Sequence, residues 1–389
     1  MDDASKLLML PPLNYFRECA SCFCQFMQQL KTFDDKKELI NVLTIKNPCE
    51  KPDFPEEVDR ESICVGKSLN KKRVTEINGR LVVGVLFESK ICSPKDIEKI
   101  NREVITTPFS YVATTSSLVW EGLKPIYVDI KQNDFNINEN LIESAITEKT
   151  TAILATHVFG VPNNTKVIKK IAEKYNLKVI YDAAHCFGAK NSDGSVFDLG
   201  DISITSFHAT KLFHTVEGGA LFTQQKDIAK RIRLMRNFGH DGPTNFSGIG
   251  INGKMSEIHA AMGIVNLRYI NSIITSRKSA YNLYKTLLDE QKFNFQEIPD
   301  NIAYNYPYFP LLFEDEVKAI SAQKELFNKE GIQTRRYFHP ILSELDYVEA
   351  NSSLNIARDI SSRILCLPLY ADIDSRYVEL ICNYLNSNF

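Results

Sequence analysis

From about residue 103 onward, short apolar runs alternate with amphipathic helical segments, and this alternation restricts the fold of the 389-residue chain more than any other feature. The strand-like runs cover residues 124–130, 151–159, 177–185, 201–209 and 219–224. Between two of them, the segment TKVIKKIAEKYN places its apolar side chains on one helical face, namely Val167, Ile168, Ile171, Ala172 and Tyr175. Strands that alternate with covering helices build a parallel sheet. The sequence therefore predicts an α/β fold with a mostly parallel sheet.

A long helical segment separates this pattern from the C-terminal part of the chain. Residues 256–290 contain no proline and repeat apolar residues every three or four positions, which predicts one helix long enough to join two domains. Behind it, strand-like residues 304–313 and 332–338 and helix-like residues 316–331 and 374–389 predict a compact α+β unit. Since a single core stops growing at roughly 250–300 residues, we expect a large domain over residues 1–265 and a small C-terminal domain over residues 266–389.

Composition excludes several classes of protein. The net charge is −2 and hydrophobic residues make up 44% of the chain, so a disordered chain or a nucleic-acid partner is not expected. No apolar run approaches the roughly 20 residues that span a bilayer, and the N-terminus lacks a basic segment followed by a long apolar one. The sequence thus predicts a cytoplasmic protein without a membrane partner.

The cysteines do not form a recognisable framework. There are nine, an odd number without regular spacing, which is typical of reduced thiols rather than disulfides. Cys19, Cys22 and Cys24 are close in sequence, but no second ligand pair accompanies them and a structural zinc ion takes four ligands. No metal site is predicted.

Lys211 is the residue that most suggests chemistry. In SFHATKLFHTVEGGA, residues 206–220, it follows an apolar run and precedes a glycine pair. An amine attacks an aldehyde only when unprotonated, and burial lowers the pKa of a lysine because the charged form loses its solvation. Taken alone, a lysine after a strand is more often a solvated surface residue. Enclosed, it is a candidate for Schiff-base chemistry.

Two further polar residues come at the ends of strand-like runs. Asp182 lies near the end of LKVIYDAAH, where open α/β sheets bind their ligands, and a buried carboxylate needs a cationic partner such as a protonated pyridine nitrogen. Ser206 lies five positions before Lys211, where its hydroxyl and nearby backbone N–H groups can hold a phosphate. An amine, a carboxylate and a phosphate-binding hydroxyl are the groups that pyridoxal 5′-phosphate (PLP) requires.

Several longer stretches carry a family resemblance. They are ITTPFSYVATTSSLVWEGLKPIYVDI, VIYDAAHCFGA, ISITSFHATKLFHTVEGGALFT, RNFG, GINGKMSEIHAAMG, RRYFHPIL and LCLPLY. Together they resemble the DegT/DnrJ/EryC1/StrS family, the sugar aminotransferases of PLP fold type I, from about residue 103 to the C-terminus. The resemblance implies an aspartate aminotransferase-like fold, PLP as cofactor, a nucleotide-linked 4-keto-6-deoxyhexose, dTDP-linked, as substrate, glutamate as amino donor and a homodimer.

The resemblance also implies roles for single residues. Lys211 would form the Schiff base with PLP and move the proton between the substrate carbon and the cofactor. Asp182 would keep the ring nitrogen protonated, and Ser206 would bind the phosphate. Tyr111 would stack on the ring, where an offset contact adds roughly a kcal/mol beyond area burial. His185 would lie near the phenolic oxygen of the ring.

Three more residues receive implied roles. Asn252 matches an asparagine that reaches the phosphate in the neighbouring subunit, although read alone it is a turn residue beside two glycines. Tyr337 and His339 lie in a stretch that carries substrate contacts, but His339 stands where a tyrosine is common. Residues 17–102 depart from the family pattern, and Arg80 replaces a threonine that would help hold the phosphate.

Other functions stay open at this point. A catalytically silent relative that serves as a binding or assembly partner is one, and an enzyme that aminates a 3-keto sugar is another. A dehydratase branch of the fold carries histidine in place of the lysine, so Lys211 argues against it. A nicotinamide-dependent sugar oxidoreductase fits the alternation, but no GxGxxG motif follows a strand.

Overall fold

The computed structural model describes residues 102–192, 194–349 and 353–389, together with the backbone of residues 41–43. The cysteine cluster Cys19, Cys22 and Cys24, the substitution at Arg80 and, apart from that short strand, the divergent segment before residue 102 lie outside the described residues.

Twelve strands are present in the described part of the chain. They are β1 (Asn41–Leu43), β2 (Glu103–Thr106), β3 (Lys124–Tyr127), β4 (Thr150–Thr156), β5 (Lys178–Asp182), β6 (Lys190–Asn191), β7 (Gly194–Ser195), β8 (Ile202–Ser206), β9 (Gly219–Phe222), β10 (Asn294–Phe295), β11 (Phe309–Leu312) and β12 (Ile364–Leu367). Seven of them form the central sheet in the order β1-β9-β8-β5-β4-β2-β3. The strands from β3 through β8 in this order run parallel, whereas β9 is antiparallel to both of its neighbours. The predicted α/β fold with a mostly parallel sheet is confirmed.

Eight α-helices accompany these strands within the described ranges. They are α1 (Val112–Trp120), α2 (Glu139–Ile142), α3 (Thr165–Tyr175), α4 (Lys226–Met235), α5 (Glu257–Leu287), α6 (Glu316–Glu330), α7 (Asn355–Arg363) and α8 (Ser375–Asn388). None of the helices in the described residues is both long and apolar enough to cross a membrane.

Helix α3 shows how the sequence pattern positions a layer against the sheet. Ile168, Ile171 and Ala172 are buried against strand residues of β2, β4 and β5, as the helical spacing predicts. Tyr175, seven positions after Ile168, shares this face but ends the helix, and its side chain is 38% exposed there. The helix ends at this point, since Asn176 adopts the left-handed conformation (φ 52°) that turns the chain toward β5.

The C-terminal part of the chain builds a second, antiparallel sheet. Strands β10, β11 and β12 pair in that order, and their apolar side chains pack with those of α6 and α8. Residues 332–338 were predicted as a strand, but only an isolated bridge between Arg335 and Cys366 forms there. The strand beside β11 is instead β12, which the periodicity did not single out because it is only four residues long and directly follows α7.

Helix α5 connects the two sheets. Near the middle of its 31 residues, Ile270 and Ile274 pack against the cluster around Phe207 and Phe213. Its second half contributes Tyr284 to the core of the C-terminal sheet. The predicted long helix is therefore present, and the domain boundary at residues 265/266, which falls within it, stays a prediction.

Gly160 allows two distant segments to approach each other. Its φ of +84° lies in the left-handed region, and a Cβ at this position would stand 2.6 Å from Asn305 Oδ1, 2.9 Å from Pro307 Cγ and 3.1 Å from the carbonyl oxygen of His185. Only glycine gives the backbone this conformation without strain and leaves room for the neighbouring segment.

We expect Gly160→Ala to lower the free energy of unfolding by roughly 2–4 kcal/mol, because backbone strain and steric overlap add together. Urea denaturation of the protein without added ligands, followed by circular dichroism, measures this. Gly331→Ala is the matched control, since Gly331 has φ +66° but nothing lies within 4 Å of its Cβ position. Equal losses in the two variants would contradict the steric part of the argument.

Candidate active site

The carboxyl ends of β5 and β8 open into a cleft, which is where open α/β sheets bind ligands. Its lining residues are Ala184, His185, Phe187, Ser206, Thr210, Lys211, Leu212, Pro307 and Tyr308. Asn305 ties the two walls together, because its side-chain amide donates to the carbonyl oxygens of His185 (2.8 Å) and Phe187 (3.0 Å).

Lys211 is held in the cleft by the loop between β8 and β9. Its backbone N–H donates to the carbonyl of His208 at 2.9 Å, and the next two side chains, Leu212 and Phe213, are buried anchors. The amine Nζ lies 3.5 Å from the hydroxyl of Tyr308. Burial lowers the pKa of Lys211 below its usual 10.5, while the negative charge of Asp182 partly opposes this shift. The enclosed amine is therefore more readily deprotonated than a surface lysine.

This shift predicts a pH dependence for the reaction of the PLP-free protein with added PLP. The rate should rise with pH as the amine loses its proton, and it should level off through a midpoint below 10.5. Stopped-flow absorbance between about pH 7 and 11 measures the rate, with an Nα-acetylated lysine amide in the same buffers as reference. A midpoint equal to that of the free lysine would show that burial does not perturb Lys211.

Asp182 is fixed at the end of β5. Its Oδ2 accepts a hydrogen bond from the Thr114 hydroxyl at 2.8 Å, and its Oδ1 accepts one from the backbone N–H of Ala184 at 3.1 Å. Burial raises the pKa of the Cys186 thiol well above its usual value, and the negative charge of Asp182 adds to this shift. The carboxylate is thus a buried, oriented anion beside the Lys211 amine.

His185 lies within a group of aromatic rings. It stacks on Phe159 and Phe338 at ring-centroid distances of 6.1 Å and 5.9 Å, and the edge of Tyr308 is 4.8 Å away. Burial and the charge of Lys211 hold its pKa well below 6.5, so the imidazole is neutral at pH 7. Its buried Nδ1 has no hydrogen-bond partner among the described residues. A neutral ring with an unsatisfied nitrogen at the cleft wall is suited to a ligand oxygen.

Ser206 lines the same cleft, whereas Tyr111 is not among its lining residues. Ser206 ends β8, and its hydroxyl accepts a hydrogen bond from the backbone N–H of His208 at 3.2 Å. Tyr111 is the N-cap residue of α1 and leaves 56% of its surface exposed. Its ring is therefore free to cover a ligand.

The other three predicted residues do not line the cleft in a single chain. Asn252 is exposed in the loop after α4, where its backbone bridges to Asn237. Tyr337 reaches the cleft wall indirectly, with its ring 5.8 Å from that of Tyr308. His339 is exposed and its Nδ1 lies 3.2 Å from the hydroxyl of Ser361.

Sequence reasoning missed two residues of the site. Tyr308 contacts both Lys211 and His185, but it lies 97 positions from the lysine, in an aromatic-rich stretch without a motif. Thr114 binds the carboxylate from 68 positions away. Its only sequence signal is that it follows Tyr111 by three positions, one helical turn.

The chemistry of these groups fits PLP. An amine with a lowered pKa and an imidazole with an unsatisfied nitrogen line the cleft, and an oriented carboxylate ends the neighbouring strand β5; these groups suit the aldehyde, the phenolic oxygen and the ring nitrogen of that cofactor. Within the described residues, no group of three or more His, Cys, Asp or Glu side chains is placed to hold a metal ion. The fold and the cleft define a PLP-dependent enzyme of fold type I.

The particular family is established by sequence comparison. The model of the DegT/DnrJ/EryC1/StrS aminotransferase family matches residues 96–386, and the chain belongs to this family. The resemblance that begins near residue 103 is thereby confirmed, as are aminotransferase chemistry and the dependence on PLP.

Related proteins of known activity cover most of the chain. A dTDP-4-amino-4,6-dideoxy-D-glucose transaminase from Shigella dysenteriae is 43% identical over 289 residues, which cover 72% of this chain and 78% of that protein. A transaminase of the same name from Escherichia coli is 39% identical, covering 74% and 80%. A UDP-N-acetyl-3-dehydro-alpha-D-glucosamine 3-aminotransferase from Acidithiobacillus ferrooxidans is 25% identical, covering 73% and 76%.

Solved structures of aminotransferases are similar in fold to this chain. DesI, determined in the presence of its TDP-sugar product, superimposes with a TM-score of 0.69 at 29% identity and covers 75% of this chain and 78% of its own. Helicobacter pylori PseC, an aminotransferase involved in the biosynthesis of pseudoaminic acid, gives a TM-score of 0.69 at 26% identity, covering 74% and 81%.

Proposed function

We propose that this enzyme transfers the amino group of glutamate to C4 of a dTDP-linked 4-keto-6-deoxyhexose. The observation that carries the transfer chemistry is that Lys211 and His185 line one cleft, with Asp182 close enough for its charge to act on Lys211. The position on the sugar is supported by the 43% and 39% identities to two 4-amino-4,6-dideoxyglucose transaminases, against 25% for a 3-aminotransferase.

Each cleft residue has a defined task in this proposal. When bound, PLP supplies an aldehyde that takes up the amino group and a ring that withdraws electrons from the reacting carbon. Lys211 would hold the aldehyde carbon between turnovers and, once released, would carry the proton between the substrate carbon and C4′ of the cofactor. Asp182 would hold the proton on the ring nitrogen. His185 is a neutral partner for the phenolic oxygen, and Tyr111 covers the ring face.

The phosphate and the substrate use the remaining predicted residues. Ser206 binds the phosphate from the end of β8. Asn252, exposed in its own chain, reaches the phosphate in a second copy, so the active enzyme is a homodimer. Tyr337 and His339 contact the sugar nucleotide. Such an enzyme works in the cytoplasm, in the synthesis of deoxysugars for O-antigen or lipopolysaccharide.

A paired spectral assay tests the reaction. Glutamate added to the PLP-loaded full chain should abolish the visible absorption band of the bound cofactor, and dTDP-4-keto-6-deoxyglucose should restore it. The 3-keto isomer is the matched control and should restore the band far more slowly. No response to glutamate would favour the silent binding partner, whereas faster recovery with the 3-keto isomer would move the reaction to C3.

A further inference from the structure

A row of buried hydroxyl groups ends on Asp182. Thr156 lies at the end of β4, Ser110 in the loop after β2, and Thr114 in the first turn of α1. The oxygen-to-oxygen distances are 3.0 Å from Thr156 to Ser110, 2.8 Å from Ser110 to Thr114, and 2.8 Å from Thr114 to Asp182 Oδ2. All four side chains are at most 9% exposed. We call this row the hydroxyl chain.

The direction of every hydrogen bond in the hydroxyl chain is set by the carboxylate. An ionised Asp182 has no proton to give, so Thr114 must donate to it. A hydroxyl has a single proton, so the Ser110 proton must point to Thr114 and the Thr156 proton to Ser110. Three O–H dipoles are thus aligned toward one carboxylate oxygen, and aligned hydrogen bonds in a buried environment polarise one another.

We infer that Thr114, supported by Ser110 and Thr156, is a positioning residue that orients Asp182 toward the ring nitrogen of the cofactor. The inference rests on the proposed role of Asp182. The Thr114 bond and the Ala184 N–H occupy one lone pair on each carboxylate oxygen and fix the rotation of the group. The carboxylate therefore keeps a single orientation, with a remaining lone pair for a donor in the cleft.

The same helical turn serves two parts of the cofactor. Tyr111 precedes α1 and Thr114 is its third residue, so the ring that covers the cofactor and the donor that fixes Asp182 are one turn apart. A change in the start of α1 would displace both together. Ser110 and Thr114 of the stretch SYVATT are thus assigned to the ring-nitrogen side of the site.

Cofactor affinity tests the inference without relying on turnover. We expect Thr114→Val to weaken PLP binding to the cofactor-free full chain by about 10-fold, since a hydrogen bond to a charged group is lost. The 1-deaza analogue of PLP, in which C–H replaces the ring nitrogen, should bind Thr114→Val and the unaltered protein equally. Thr114→Ser should restore PLP affinity, and Thr156→Val should have a smaller effect than Thr114→Val.

Thr115→Val is the matched control. Thr115 is equally buried in the same helix, but its hydroxyl pairs with the Tyr127 hydroxyl at 3.0 Å and not with Asp182. Thr115→Val should reduce stability in thermal unfolding about as much as Thr114→Val does, and it should leave PLP affinity unchanged. Equal weakening of PLP binding in Thr114→Val and Thr115→Val would overturn the inference. So would a loss of affinity for the deaza analogue in Thr114→Val that is as large as the loss for PLP. If Asp182→Asn leaves PLP affinity unchanged, the role of Asp182 fails instead. If only Thr114→Val has no effect, the positioning role alone fails.

Discussion

Lys211→Ala is expected to reduce amino transfer by about 10³- to 10⁴-fold or more, because it removes both the nucleophile and the group that carries the proton. The fold should persist, since the loop is anchored by the neighbouring buried Leu212 and Phe213 rather than by the lysine. Borohydride reduction of the PLP-loaded protein followed by peptide mapping should find a pyridoxyl group on Lys211 in the unaltered chain and none in the variant.

Two controls separate the roles of the amine. Lys211→Arg keeps a positive charge, but its guanidinium stays protonated and cannot form the covalent bond, so it should be as inactive as the alanine variant. Lys178→Ala removes an exposed lysine at the opposite end of β5, where it pairs with Asp201 at 3.2 Å, and should leave the rate unchanged. Substantial activity in Lys211→Arg would assign the lysine an electrostatic role only.

Asp182→Asn has the second-largest expected effect. Asparagine matches the shape of the carboxylate and can still accept from Ala184, but it carries no charge to hold a proton on the ring nitrogen. We expect kcat to fall by about 10²- to 10³-fold, within the range for losing a positioned acid or base, with a smaller change in KM. Steady-state kinetics with glutamate and the ketosugar measures both constants.

Asp201→Asn is its matched control. Asp201 also sits beside the central sheet and is hydrogen-bonded to Val179 N at 2.9 Å and to Gln225 at 2.6 Å, but it precedes β8 and lies at the amino end of that strand. Its substitution should affect stability and not kcat. Equal kcat values for Asp182→Asn and the unaltered enzyme would remove Asp182 from the chemistry.

The central fold was predictable because its signals are local. Each of the five predicted strand-like runs overlaps a strand of the central sheet, since runs of β-branched and apolar residues suit buried strands. The C-terminal unit was less predictable. Residues 332–338 have strand-like composition, but in the structure only Arg335 bridges to Cys366 of β12. Strand content there is decided by tertiary pairing rather than by propensity.

The sequence predicts those site residues that lie at or just after the ends of strands. Asp182 ends β5, Ser206 ends β8 and Lys211 follows in the next loop; because β5 and β8 are parallel neighbours, the α/β topology alone brings the three to one edge of the sheet. Tyr308 and Thr114 enter from segments that pack over this edge, and packing between segments far apart in sequence leaves no periodic signal. The roles of Asn252, Tyr337 and His339 stay predictions, because they depend on a second copy or on the substrate.

The uninterrupted helix α5 has a practical consequence for dissecting the enzyme. A protease needs an extended, accessible stretch of backbone, and the interior of a packed helix offers none. The predicted large and small domains should therefore resist separation by limited digestion near residues 265/266, unlike domains joined by a flexible linker. Fragments made by splitting the gene there would each inherit only part of the helix and an uncovered apolar surface.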